Sequence, residues 1–132
     1  MKIRDELNRT LDYACDELTD ILQDIKSHRE HEMDELKHKI KRYEDKKRAE
    51  ETFYRSLSPV RKFFASRPPS HHQAVEYMVH VKDRLKQINV IKDRIRQIDQ
   101  VIALCRDHSS EEEVEVTSMM TEEILNYRKG QE

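Results

Sequence analysis

From Ala74 to Cys105 the apolar residues keep a seven-residue repeat. Ala74, Val81, Ile88, Ile95 and Ile102 hold one position, and Tyr77, Ile91, Ile98 and Cys105 hold the other, with Arg84 the single intruder. This spacing predicts a long helix that buries a narrow stripe against another helix. A chain built on such a stripe is expected to be all-α and to act by contact. One Gly and three Pro among 132 residues leave little irregular backbone, which is where catalytic groups are usually carried. The expected protein is therefore not an enzyme and needs no cofactor.

The rest of the chain extends the same reading. Leu7, Leu11, Ala14, Leu18, Ile21 and Ile25 step by four and three, and Leu36, Ile40 and Tyr43 continue in a register displaced by one. No Gly or Pro interrupts them, so one helix is predicted over residues 2–57. Ser58 before Pro59 opens a short helix and turn over residues 58–70, where Arg67-Pro68-Pro69 stops it. Ser70 with Gln73 forms a capping box for a helix over residues 71–107, and Ser110 with Glu113 forms another for a helix over residues 110–129, closed by Gly130. The expectation is a single domain, residues 1–132. It is a long antiparallel helical hairpin, coiled-coil-like, with a third C-terminal helix. With its turn near residue 64, facing residues should have numbers that sum to about 128. Val75, Val79 and Val90 fall off the main stripe. That widening predicts self-association into a helical bundle, with a dimer favoured.

Net charge is −2, but it is unevenly spread: residues 1–36 carry −6, residues 37–67 carry +7 and residues 108–132 carry −5. The basic turn carries the favoured contact set for a protein partner, Arg55, Arg61, Lys62, Phe63, Phe64 and Arg67, because aromatic and Arg side chains dominate interface energies. The alternative is nucleic acid held by Lys37, Lys41, Arg42, Lys46, Lys47 and Arg48 through phosphate contacts. No Cys/His finger or compact helix-turn-helix supports that alternative.

A second alternative is a metal-binding helical bundle. His28, His31, Glu35 and His38 are spaced three, four and three, which places potential ligands on one helix face. The second helix offers Glu76 and His80, four apart, so the two-helix carboxylate–histidine pattern is not completed. The plainer reading is a solvated face. Cys15 and Cys105 lack metal-ligand spacing and read as small core residues of a reduced, cytoplasmic protein. No leader pattern and no apolar run of roughly 18 residues is present, so no membrane contact is expected. In size and hairpin pattern the chain is similar to the small type VII secretion substrates, but their Trp-x-Gly turn is absent and no specific motif assigns it to that family.

Overall fold

The computed structural model describes residues 1–64, 70–107 and 113–131, with residues 62–64, 70, 71 and 131 as backbone alone. The chain is all-α in class, with a small sheet added. Helix α1 spans Cys15–Ser56, α2 Pro59–Phe64, α3 Ser70–Tyr77, α4 Asp83–Asp107 and α5 Ser118–Gln131. A π-helical turn, Met78–Lys82, joins α3 to α4 without a break. Strands β1 (Lys2–Arg4), β2 (Thr10–Asp12) and β3 (Glu113–Glu115) form a sheet in the order β2-β1-β3. Where the sequence suggests one domain, contacts fall into two compact units. Unit 1 is Met1–Glu32 with Val90–Glu132, and unit 2 is Met33–Asn89.

Three expected helix boundaries are corrected. The helix predicted over residues 2–57 begins at Cys15, and the residues before it form a hairpin. The helix predicted over residues 110–129 begins at Ser118, because Glu113–Glu115 is a strand, and it runs through Gly130, expected to close it, to Gln131; Ser110, half of the expected capping box, lies outside the described residues. All three strands read polar–apolar–polar, and Ile3, Leu11 and Val114 stand in register across them. Ile3 is buried and the other two are half-buried, while their charged and hydroxyl neighbours face out. Strand pairing thus buries one apolar residue per strand, which no continuation of the helix could achieve with the same three residues.

The turn between β1 and β2 is built by Asp5. Its Oδ1 accepts the backbone N–H groups of Leu7 and Arg9, each at 2.9 Å, and its Oδ2 takes the Arg9 guanidinium at 2.8 Å. Asn8 sits at φ 60°, the left-handed conformation that Asn tolerates better than most residues. Burial pushes the Asp5 carboxyl up, but the bonds from Arg9, Thr121 and Leu7 together hold it below its ordinary value. A depressed carboxyl adds stability that is present above its unfolded value and is lost as pH falls through its folded one. Asp5→Asn should therefore be less stable than the parent at pH 7 and should lose less on acidification below about pH 4. Urea titrations at pH 7 and pH 3 check this; equal acid sensitivity in the two proteins would contradict it.

The neighbouring Glu6 closes α5 onto this turn. Its carboxylate accepts the Ser118 backbone N–H at 2.9 Å and the Ser118 hydroxyl at 2.6 Å. It therefore satisfies a donor at the start of α5, where helix N–H groups have no internal partner. The hydroxyl bond is the main reason its carboxyl lies below the ordinary value. Arg9 bridges from Asp5 to Glu122 on α5. Beneath these contacts, Leu18 and Leu22 of α1, Ile98 and Ile102 of α4 and Met120 and Ile124 of α5 share one core with Met1, Ile3 and Tyr13. Each fully buried aliphatic side chain contributes roughly 1.5–3 kcal/mol.

Unit 2 has a smaller core of Ile40, Val81 and Ile88, packed by Met33, Leu36 and Tyr43. Its helical runs touch through Tyr43 with His80 and Lys47 with Glu76. Both pairs of numbers sum to 123, against the 128 expected. Ser58 caps α2 as anticipated, its hydroxyl accepting the Arg61 N–H at 3.3 Å.

Candidate binding groove

The π turn decides which residues of unit 2 face α1. It fits one more residue per turn than an α-helix does, so a stripe in register from Val81 onward is out of register before it. Ala74 and Tyr77, the leading members of the expected seam, are exposed, Tyr77 by 46%. Gln73, Glu76 and His80 face α1 in their place, followed by Arg84. Polar groups thus stand where an unbroken repeat would put apolar ones. The result is a groove of about 770 Å³ where a closed seam was expected.

The α1 wall carries Lys39, Arg42, Tyr43, Lys46, Lys47, Glu50, Phe53, Tyr54 and Leu57, which recur in the three- and four-residue steps of one helix face. The ring of Tyr43 stacks on His80, with centroids 4.8 Å apart and planes at 14°. The Lys47 ammonium lies 5.7 Å from the Tyr43 centroid, 2.7 Å from the Glu76 carboxylate and 3.4 Å from Glu50. Its bond to Glu76, with the charge of Glu50 and Glu76, raises the Lys47 ammonium above its ordinary value, and the same bond lowers the Glu76 carboxyl. Glu76 also meets His72 Nε2 at 3.1 Å.

The lining holds five cations against three glutamates. Glu76 and Glu50 are engaged by Lys47, and Glu51 pairs with Arg55 at 3.4 Å. Lys39, Arg42 and Lys46 form no ion pair among the described residues, and the Arg84 guanidinium donates to the His80 carbonyl at 3.4 Å. Positive charge beside exposed rings suits carboxylate or phosphate groups on a ligand that also has an apolar part. Phe53, 66% exposed, offers such a ring.

Of the residues expected to meet nucleic acid, Arg42, Lys46 and Lys47 line the groove. Lys37, Lys41 and Arg48 are exposed elsewhere on α1, Arg48 within 3.6 Å of Asp45. Of the residues expected to meet a protein partner, Arg55 and Arg61 are exposed. The side chains of Lys62, Phe63 and Phe64, and the whole of Arg67, lie outside the described residues. His28, His31, Glu35 and His38 are exposed on α1, with His28 Nδ1 2.8 Å from the Asp24 carbonyl oxygen. Among the described residues, no group of three or more His, Cys, Asp or Glu is placed to hold a metal ion.

Gln73, Glu76, His80 and Arg84 were not anticipated as groove residues. The one signal for them was Arg84, a charge in a position the repeat reserves for apolar groups. Among the described residues no helix is long and apolar enough to cross a membrane. No protein-family model, curated protein or solved structure matches the chain.

Proposed function

We propose that the chain is a non-enzymatic binding protein whose unit 2 receives an acidic polypeptide segment in the groove lined by Arg42, Lys46 and Arg84. The observation that carries this reading is the groove's surplus of cations, four of them (Lys39, Arg42, Lys46 and Arg84) without ion pairs among the described residues. A row of exposed aliphatic side chains supports a polypeptide over other anions. Val75, Met78, Val79 and Leu85 are 43–52% exposed on the same helical run. The row lies outside the groove lining, so an amphipathic acidic segment uses both features by extending beyond the groove, where apolar contacts add affinity to the rate and register that complementary charge supplies.

The nucleic-acid reading draws on Phe53 and Tyr54 among the cations, where bases would stack, but it leaves the aliphatic row unused. Fluorescence anisotropy distinguishes the two. The probes are a labelled Glu/Leu peptide, its Lys/Leu counterpart and a single-stranded oligothymidylate. The acidic peptide should bind and weaken with salt, and the basic one should not bind. Tighter binding of the oligonucleotide would replace this reading with the nucleic-acid one, and no binding of either anion at low salt would end both.

Self-association follows the same charge logic. Unit 2 holds 14 Lys and Arg against eight Asp and Glu, net +6, whereas unit 1 holds 11 against 19, net −8. Opposite charge on different parts of one chain favours contact between copies. Light scattering is expected to give a mass above one chain at low salt that falls as salt is raised. A single-chain mass at low salt would remove this contact from the account.

A further inference from the structure

Cys15 and Cys105 stand 90 positions apart in the sequence, yet both belong to the core of unit 1. Cys105, in the last turn of α4, is buried in that core, and Cys15, the first residue of α1, packs half-buried against it. Both are free thiols. The Cys105 Sγ lies 3.5 Å from the Met1 Sδ, and the Met1 amine bonds to the Tyr13 carbonyl at 2.7 Å, two residues before Cys15. Core filling accounts for Cys105 by itself. It does not account for a second, half-buried cysteine packed on the same core.

We infer that Cys15 and Cys105 form a redox modification site, a dithiol that a small-molecule disulfide of the glutathione type converts to an internal disulfide. The environments of the two sulfurs set the order of events. Burial, reinforced by the neighbouring Cys15 thiol, pushes the Cys105 thiol up to about 11. Cys105 therefore stays protonated near neutral pH and does not start the exchange. Cys15, the less buried of the two residues, gives up its proton and attacks first. Its sulfur bonds to one sulfur of the small disulfide, whose S–S bond breaks, and the other half leaves as a thiolate that takes up a proton. Cys105 then loses its proton and attacks the Cys15 Sγ. The Cys15–Cys105 bond forms, and the second small thiol departs with its electron pair and a proton. Two protein thiols are oxidised, and one small disulfide is reduced to two thiols.

The bridge would close a loop that contains every residue of unit 2, tying together the chain segments that lead into and out of the groove-bearing unit. Loops of that length lose much unfolded-state entropy on closure, so oxidation should stabilise unit 1. The test is to expose the native full-length protein to oxidised glutathione and map its peptides by mass spectrometry. The expected product links Cys15 to Cys105, weighs two hydrogens less than the dithiol and carries no glutathione. Its Tm should rise by roughly 10 °C or more and return on reduction. Cys105→Ala should stop at a glutathione adduct on Cys15, and Cys15→Ser should remain unmodified even if the first variant fails to fold. Three outcomes would overturn the inference. They are a persistent Cys15 adduct in the parent protein, bridges only between chains, or thiols left intact under conditions that oxidise the urea-unfolded chain.

Discussion

Leu22→Ala is expected to cost roughly 2–5 kcal/mol of stability, a large part of the ~5–15 kcal/mol that holds an ordinary domain together. Leu22 is fully buried at the centre of unit 1, among side chains from α1, α4 and α5. The core around it is thin for a chain in which 39% of residues are charged, so little apolar material is available to collapse into the space left by the lost methyl groups. Denaturant titration followed by circular dichroism measures the loss. Val75→Ala, which truncates an exposed residue in unit 2, is the control and should change stability by less than about 0.5 kcal/mol. A Leu22→Ala cost no greater than the control's would mean that the three helical segments of unit 1 do not share the core described.

The paired charge reversal Arg42→Glu with Lys46→Glu is expected to weaken binding of the acidic peptide on the order of 100-fold, about 2.7 kcal/mol. Both residues line the groove and neither forms an ion pair among the described residues, so their replacement breaks no ion pair described there. Thermal stability should change little for the same reason. The matched reversal Lys41→Glu with Arg48→Glu alters the net charge equally, but on exposed residues outside the groove lining. It should weaken binding less than about fivefold through long-range charge alone. Equal losses in the two double variants would show that general charge attracts the peptide and that the groove does not.

The helical class, the cap at Ser58 and the buried stripe from Val81 to Cys105 were legible because each rests on local periodicity or local turn chemistry. The strands were not. A three-residue strand offers only one inward residue, and Leu7, Leu11, Ala14 and Leu18 also satisfy helical spacing. What selects the hairpin is the set of bonds converging on Asp5 and the pairing of β1 with β3, a segment more than a hundred residues away. Pairing of that kind leaves no local trace in the sequence.

The groove was half legible. Its α1 wall stood out as a basic helix face, and Arg42, Lys46 and Lys47 were singled out there. Its opposite wall depends on the π turn, which changes the register without any Gly or Pro to announce it. The repeat through Ala74 and Tyr77 appears unbroken in sequence, yet those residues face outward and Glu76 and His80 face in. Arg84 marked the discrepancy, since an unbroken apolar seam has no place for a guanidinium.

The central claim is that unit 2 binds acidic polypeptide between α1 and the run through the π turn. It is tested most directly by nitrogen-15 chemical-shift mapping of the full chain titrated with the Glu/Leu peptide at low salt. The account predicts that perturbed amides cluster in residues 39–57 and 73–85, with His80 and Arg84 among the largest and unit 1 unchanged. Perturbations confined to unit 1, or none at millimolar peptide, would contradict it.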